Sequence, residues 1–592
     1  MTGHRTRRML GVIAIATLTG SALAAPLAAA PAARATAIIS PMAQVNQAER
    51  SRYGSLFALL GAQRWDEAKA AITALDAADS MRPYLLAELY LAKDSPRVEL
   101  FDLLDILAKA PHLPQSARIS ALARKRGAQV LPDLPATRQL MWTGTSPQRA
   151  ILRAVAGDSA ADALRGQLLQ QIKDDRPAEG EALLIAADAG LTGEARTELR
   201  QRIAWSYFIC GDTANARRVA AQAAQDGSGP FLAAAQWVLG LSAWREKQWD
   251  AAADAFYQSA TNASDGDMRS GGYFWAARAM MAARRPERVN PLLRSAARDE
   301  ETFYGLLARE TLGLGPSASL TREHVSAADW AALSSRPNVR NAVIASALGR
   351  STDADAILRH EAELGSADYS ALVHLASDLS LPTTQLWLAQ RSPSGRKSAA
   401  YARYPRPDWT PADGWQVDRS LVFAHALQES RFQTQARSTA DARGVMQVRP
   451  GTGGDLAAAA GMSYSADQLY EPAINLALGQ AYLRKLSQMP ATGGLLPKVV
   501  AAYNAGPVPI DRWNVQIRDE GDPLLFIESV PYYETRAYLN AVLRNYWIYQ
   551  MEEQGSSPAL AAMAQGLWVR FPDGNKTATV RMASNGATIR GD

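Results

Sequence analysis

The sequence predicts a mainly α-helical protein of several parts, and three observations carry that prediction. Apolar residues recur at spacings of three and four through much of residues 46–315, the signature of amphipathic helices. Three stretches within that region resemble one another at a nearly constant period. Beyond Trp415 the repeats are gone, and short apolar runs alternate with clusters of carboxylate, amide and phenol side chains. A chain of 592 residues has room for three or four domains at about 150 residues each. Its 47% hydrophobic and 20% charged residues exclude wholesale disorder.

The chain opens as an export signal. Arg5, Arg7 and Arg8 precede an uncharged, mainly apolar run from Met9 to Leu18, and Ala22-Leu23-Ala24 offers small residues at a cleavable spacing. Residues 1–24 are therefore expected to be a signal peptide. Thr17, Thr19, Gly20 and Ser21 interrupt the apolar run before it reaches the length of a membrane anchor. No later stretch looks membrane-spanning. Residues 25–45, rich in Ala and Pro, read as a disordered lead.

The signal also changes the meaning of the charge. The formal net charge is +5, and residues 1–24 hold three arginines and no acid. From Pro405 to Gly555 there are 13 Lys and Arg against 16 Asp and Glu. No clustered basic stripe remains, so nucleic acid is not an expected partner. A single cysteine, Cys210, excludes an intrachain disulfide and a cysteine-built zinc cluster. Six scattered histidines with no HExxH pair argue against a histidine metal site, and no cofactor or metal is expected.

In residues 46–315, Leu56, Phe57, Leu59 and Leu60, then Ala68, Ala71, Ile72 and Leu75, keep helical spacing. The three similar stretches run from Ala204-Trp205 to Ala223-Ala224, from Gly240-Leu241 to Ser259-Ala260, and from Trp275-Ala276-Ala277-Arg278 to Ala296-Ala297. Their ends fall 36 and 37 residues apart, near the tetratricopeptide-type period of about 34. Each reads as a helix pair that buries its apolar face only by stacking on its neighbours. The tryptophans read as core. Such a surface often binds protein, which makes protein partners a second class of function for this region. Residues 316–403 stay helical without the repeat, and turn-rich Arg391–Arg396 and Tyr404–Asp408 place a boundary near residue 400.

Chemistry is concentrated after that boundary. Ser420 to Gln428 is an apolar helical run ending in Glu429-Ser430. A carboxylate at the tail of an apolar helix is either solvated or held in a poorly hydrated pocket. In the pocket its pKa rises, and it can serve as a general acid near neutral pH. His425, one turn earlier, is either its partner or packed core. Gly444-Val445-Met446-Gln447-Val448-Arg449-Pro450 follows, with Gln447 eighteen residues after Glu429. Then come Ala502-Tyr503-Asn504-Ala505-Gly506 and a block from Phe526-Ile527-Glu528-Ser529-Val530-Pro531-Tyr532 through Tyr533-Glu534-Thr535-Arg536-Ala537-Tyr538.

This ordered set resembles the four motifs of the soluble lytic murein transglycosylase family, over about 120 residues from Glu429 to Tyr549. Trp275-Ala276-Ala277-Arg278 and Phe303 to Ala308 are similar, more weakly, to the same family's helical half. The resemblance implies an N-terminal α-superhelical, tetratricopeptide-like domain over residues 46–315, a helical linker domain over 316–403, and a C-terminal lysozyme-like, α-rich catalytic domain over 404–555. It implies peptidoglycan glycan strands as substrate, cut between N-acetylmuramic acid and N-acetylglucosamine, and hence residence in the periplasm. It implies Glu429 as the single catalytic carboxylate, first donating a proton to the glycosidic oxygen. The muramyl C6 hydroxyl then closes a 1,6-anhydro ring and returns its proton to Glu429. Ordinary glycosidases need two carboxyl groups set about 5–9.5 Å apart, whereas here substrate groups take the second role.

Substrate-binding roles are implied for Ser430, Met446, Gln447, Tyr503, Asn504, Glu528 and Tyr532. Ser430 would orient the glutamate or a sugar, and Gln447 offers an amide for N-acetyl groups. Tyr503 would donate to Glu429 or an N-acetyl group, and Asn504 is either a contact or structural. Glu528 would face Glu429 across the cleft. Tyr532 and Tyr538 are either aromatic platforms or packed core, core being the stronger reading for Tyr538; Arg536 reads as an ion-paired structural residue. The second motif departs from the family at Val445 and at Arg449, which bears on subsite preference. Residues 556–592 have no counterpart in the family and read as a tail with short strands at Trp568–Phe571 and Thr577–Met582. Two other functions stay open: a goose-type-lysozyme-like muramidase, and an inactive periplasmic helical-repeat scaffold.

Overall fold

The computed structural model describes residues 38–572 and the strands Thr579–Met582 and Thr588–Ile589. The expected signal peptide and the first part of the lead lie outside the described residues. Helices dominate, from Gln47–Gly61 to Pro558–Ala564. Their starts follow local chemistry. Asn46 and Glu49 form a reciprocal capping box at 2.9 and 3.0 Å, and Asp158, Thr192, Asp212, Asp265 and Thr302 each cap a helix with a side-chain oxygen.

The repeats are antiparallel helix pairs from Ser159–Lys173 and Pro177–Ala187 to Gly266–Ala282 and Pro286–Ala296. Their period is also written in the backbone. Asp175, Gly211, Lys247 and Arg284 all adopt positive φ, at intervals of 36, 36 and 37 residues. Each follows the first helix of a pair. The next amide in each case reaches back to a carbonyl five residues earlier, as in Asp212 to Tyr207 at 3.0 Å and Arg285 to Met280 at 2.9 Å. Only one of the four is glycine; the other three hold a left-handed conformation that costs about 1–2 kcal/mol. The repeat therefore extends one unit N-terminal to the three legible in the sequence. Between helices, a Cβ at Gly272 would lie 2.6 Å from the Phe256 carbonyl oxygen, so close packing demands glycine there. Of the tryptophans in the three similar stretches, Trp275 is buried as expected, edge-on to Trp244 at 5.0 Å, whereas Trp205 and Trp249 are only half-buried.

Packing groups the helices differently from the chain order. One apolar core joins the repeats to most of residues 404–569. The other joins residues 45–123 to residues 325–402. The segment read as a linker domain is thus packed on the N-terminal helices: Ile39 donates to Val325 at 3.0 Å, and the Ser80 hydroxyl donates to Asn341 at 2.7 Å. Residues 126–158, which contain no helix, strap the two cores together. Met141–Trp142 pairs antiparallel with Arg391–Ser392, Arg544 donates to the Pro147 carbonyl, and the Val155 amide donates to Glu198 at 2.6 Å.

Residues 556–572 are not a detached tail. The helix Pro558–Ala564 packs on Phe303–Thr311, and Trp568 is buried beside Phe526 with its indole N–H on Gly521 at 2.9 Å. Short apolar stretches with buried partners far away in sequence look like a tail when read locally. Trp568–Val569 begins an antiparallel three-stranded sheet with Thr579–Met582 and Thr588–Ile589.

Candidate active site

The site is built on the helix Arg419–Ser430. Asp418 caps it through the Ser420 amide at 2.8 Å and is fixed in turn by the hydroxyl of Tyr546 at 2.8 Å. The helix stops because Arg431 and Phe432 both turn left-handed. Glu429 therefore projects from the last turn of a helix whose residues Ser420 to Leu427 are buried. Burial pushes its carboxyl up to about 7, partly opposed by the hydrogen bond from Tyr538 and aided by the charge of Glu534.

Tyr538, on the long helix Tyr533–Gln554, donates its hydroxyl proton to Glu429 Oε1 at 2.6 Å. The same hydroxyl oxygen lies 2.8 Å from His425 Nδ1. With the tyrosine proton committed to the glutamate, His425 must donate through Nδ1, which fixes its tautomer. Burial lowers the imidazole to about 3, so it stays neutral. Its Nε2 is left without a partner among the described residues. His425, Tyr538 and Glu429 thus form a directed chain of hydrogen bonds. Tyr538 is packed core with a bonded hydroxyl, and it, not Tyr503, is the direct donor to Glu429.

Tyr503 lies beside this chain, its ring 4.6 Å from that of His425, but its hydroxyl donates to the Met446 carbonyl at 2.8 Å rather than to Glu429. The Ser430 hydroxyl donates to the Val445 carbonyl at 2.7 Å and so ties the glutamate helix to the loop carrying Gln447. That loop is a tight reversal, with Arg443 and Val448 exchanging backbone hydrogen bonds at 3.0 and 3.1 Å. Gln447 sits at φ 51°, partly exposed, with its amide on the carbonyls of Gly444 and Ala436. Asn475, absent from the sequence reading, holds the loop. It accepts from the Met446 amide at 2.7 Å and donates to the carbonyls of Arg443 and Leu469 at 2.9 and 2.8 Å. Met446 itself is buried. Asn504 accepts from the Thr535 hydroxyl at 2.6 Å, which braces the helix Leu496–Ala505 against the helix of Tyr538. Tyr532 is 46% exposed and rests edge-on against Trp513.

Glu528 departs most from expectation. It is fully buried and does not face the cleft. Its oxygens take both terminal nitrogens of Arg149 at 3.0 and 3.3 Å, and the Tyr304 hydroxyl donates to it at 2.6 Å. Burial pushes this carboxyl up, but Arg149 outweighs burial and holds it below its ordinary value. Glu528 therefore links the catalytic region to the strap and the repeats. Arg536, read as an ion-paired residue, has no ion pair among the described residues; it stacks over Trp205 at 4.2 Å. Arg449 is exposed just before Pro450. Among the described residues no cluster of His, Cys, Asp and Glu fits a metal ion, and no helix is long and apolar enough to cross a membrane.

A family model of the transglycosylase SLT domain matches residues 410–525. A soluble lytic murein transglycosylase of Escherichia coli K12 is 32% identical over 155 residues, 26% of this chain and 23% of that protein. A putative soluble lytic murein transglycosylase of Haemophilus influenzae is 33% identical over 147 residues, 24% of each. These matches span about a quarter of the relatives' length. Two solved structures share the fold far more widely. The 70 kDa soluble lytic transglycosylase of Escherichia coli aligns with TM-score 0.52 at 17% identity, covering 88% of this chain and 99% of that one. An inactive glutamate-to-glutamine mutant of the lytic transglycosylase Slt of Pseudomonas aeruginosa aligns with TM-score 0.51 at 19% identity, covering 85% and 81%. The architecture is thus a helical superhelix joined to a lysozyme-like domain. Residues 410–525 are thus similar to the transglycosylase SLT domain, and the rest of the chain shares the fold of those two structures.

Proposed function

We propose that this protein is a peptidoglycan lytic transglycosylase acting in the periplasm, with Glu429 as its single catalytic carboxyl. The observation that carries the reading is a carboxyl raised to about 7 whose only hydrogen-bond donor among the described residues is Tyr538. Tyr538 occupies Oε1, so the proton resides on Oε2, free to be passed to a glycosidic oxygen. As the bond between N-acetylmuramic acid and N-acetylglucosamine breaks, Glu429 becomes a carboxylate. It then takes the proton of the muramyl C6 hydroxyl as that oxygen bonds to C1, leaving a 1,6-anhydro end. The leaving sugar departs with the first proton, and Glu429 regains the second.

Around it, Gln447 and exposed Tyr532 are suited to contact the sugars, whereas Ser430, Met446, Tyr503 and Asn504 hold the loop and helices that shape the cleft. The other carboxylate that Glu429 senses, Glu534, is exposed, and Glu528 is locked to Arg149. Among the described residues that leaves no buried second carboxylate poised as nucleophile beside Glu429, which favours the non-hydrolytic route. Residues 1–24 serve as the export signal. Muropeptides released from purified sacculi by wild type and by Glu429→Gln, compared by mass spectrometry, test the proposal. Anhydromuramyl ends from wild type and none from the variant are expected. Reducing muramic ends would instead establish the muramidase reading, and no digestion by either protein the scaffold reading.

A further inference from the structure

A cavity of about 380 Å³ opens where the repeats meet the first turn of the helix Tyr533–Gln554. Trp205, Phe231 and Trp237 form much of its wall, and the exposed apolar side chains of Ile151, Leu169 and Tyr533 also line it. Apolar exposure gathered around an opening marks a binding site more often than chance. Three arginines line the same space. Arg149 is held by Glu528 and Asp267, and Arg202 by Glu198 at 2.9 Å. Arg536 differs from both. It stacks over Trp205 at 4.2 Å, lies 5.6 Å from the Tyr533 ring and donates to the Val530 carbonyl, with no carboxylate in ion-pair distance among the described residues. Burial lowers its guanidinium to about 10, while Glu528 favours the charge from farther off and Arg149 opposes it. The indole N–H of Trp237 is also without a partner among the described residues. Asp265, the remaining acid in the wall, already accepts from the amides of Ala150 and Met268 at 3.1 and 2.8 Å.

A desolvated guanidinium with unused donors in an apolar cavity favours an anion. The nearby Asp265, Asp267 and Glu528 disfavour more than one negative charge. We propose that this cavity binds a small amphiphilic monocarboxylate, its hydrocarbon body among Trp205, Phe231 and Trp237 and its carboxylate on Arg536. The volume falls at the low end of ligand cavities, about 300–1,000 Å³, which limits the ligand to a short chain. Arg536 and Tyr538 share one helical turn, so occupancy orders the turn that supplies the donor to Glu429.

The test is calorimetric titration of the full-length protein with decanoate, with decanol and decyltrimethylammonium as controls, and hydrogen exchange read at residues 533–538. Decanoate should saturate one site and protect those amides, and decanol should bind at least about tenfold more weakly. Arg536→Gln should remove the preference for carboxylate, and Ala234→Phe, which fills the cavity, should abolish binding of both. Should Arg536→Gln not fold, Ile151→Asp at the exposed rim decides the matter by weakening decanoate and sparing decanol. Equal binding of acid and alcohol, absence of a saturable site, or full binding by Ala234→Phe would overturn the proposal. Binding is read without glycan turnover, so its failure is distinguishable from failure of the role given to Glu429.

Discussion

Glu429 and Glu528 are two carboxyl groups in neighbouring parts of one domain, both removed from water, and the structure sends them in opposite directions. Glu429 sits at the end of an apolar helix with one neutral donor, Tyr538, and its pKa rises to about 7. Glu528 receives a guanidinium and a phenol, and its pKa falls. Burial alone therefore does not make an acid catalyst; burial without a cation does. The pairing that stabilises Glu528 as an anion also makes it unable to donate a proton, and it ties together segments 379 residues apart.

The contrast can be broken most forcefully at Glu429. Glu429→Gln should lower sacculus digestion by about 10²–10⁴-fold, measured as released muropeptide per unit time, with the folded structure kept. Arg149→Ala addresses the other carboxyl. It leaves Glu528 buried and unpaired, and should cost about 3–5 kcal/mol of stability in denaturant unfolding. Adding Glu528→Gln should return part of that loss; a loss below about 1 kcal/mol would show that Arg149 does not hold Glu528.

Glu429→Gln should also affect stability, in the opposite sense. The folded protein keeps the Glu429 proton up to about pH 7, whereas the unfolded chain releases it near pH 4.3. The wild type is consequently destabilised as pH rises through that window, by about 3 kcal/mol above it. The glutamine variant should match wild type in thermal unfolding near pH 4 and exceed it at pH 8. Tyr538→Phe should produce the smallest effect. The lost hydrogen bond favoured the carboxylate, so the alkaline limb of kcat/KM should move up by about one pH unit. A shift downward would contradict the assigned direction of that bond.

What could be read from the chain alone depended on how local the determining contacts are. Helices, their spacing and the tryptophan core are set by residues within a few turns, and three of the repeat units were visible. The unit containing Asp175 was hidden because neither of its helices, Ser159–Lys173 and Pro177–Ala187, carries the tryptophans that mark the other three. Glu429, Gln447 and Tyr503 stand out through ordered motifs. Tyr538 was undervalued because a tyrosine on a packed helix gives no sign of which hydroxyl faces a carboxylate 109 residues away. Asn475 lies in no motif and acts entirely through backbone groups, the Met446 amide and the carbonyls of Arg443 and Leu469. Glu528 was misplaced because its partners, Arg149 and Tyr304, belong to other segments of the fold. A buried asparagine or glutamate with distant partners leaves no local pattern.

The central claim is that Glu429 drives an intramolecular ring closure and not hydrolysis, and oxygen tracing tests it directly. Purified sacculi are digested by wild type in heavy-oxygen water, and the muramyl ends of the products are examined by mass spectrometry. The account predicts anhydromuramyl ends that carry no solvent oxygen. Heavy oxygen incorporated at muramyl C1 during cleavage would contradict it, since water and not the C6 hydroxyl would then have been the nucleophile.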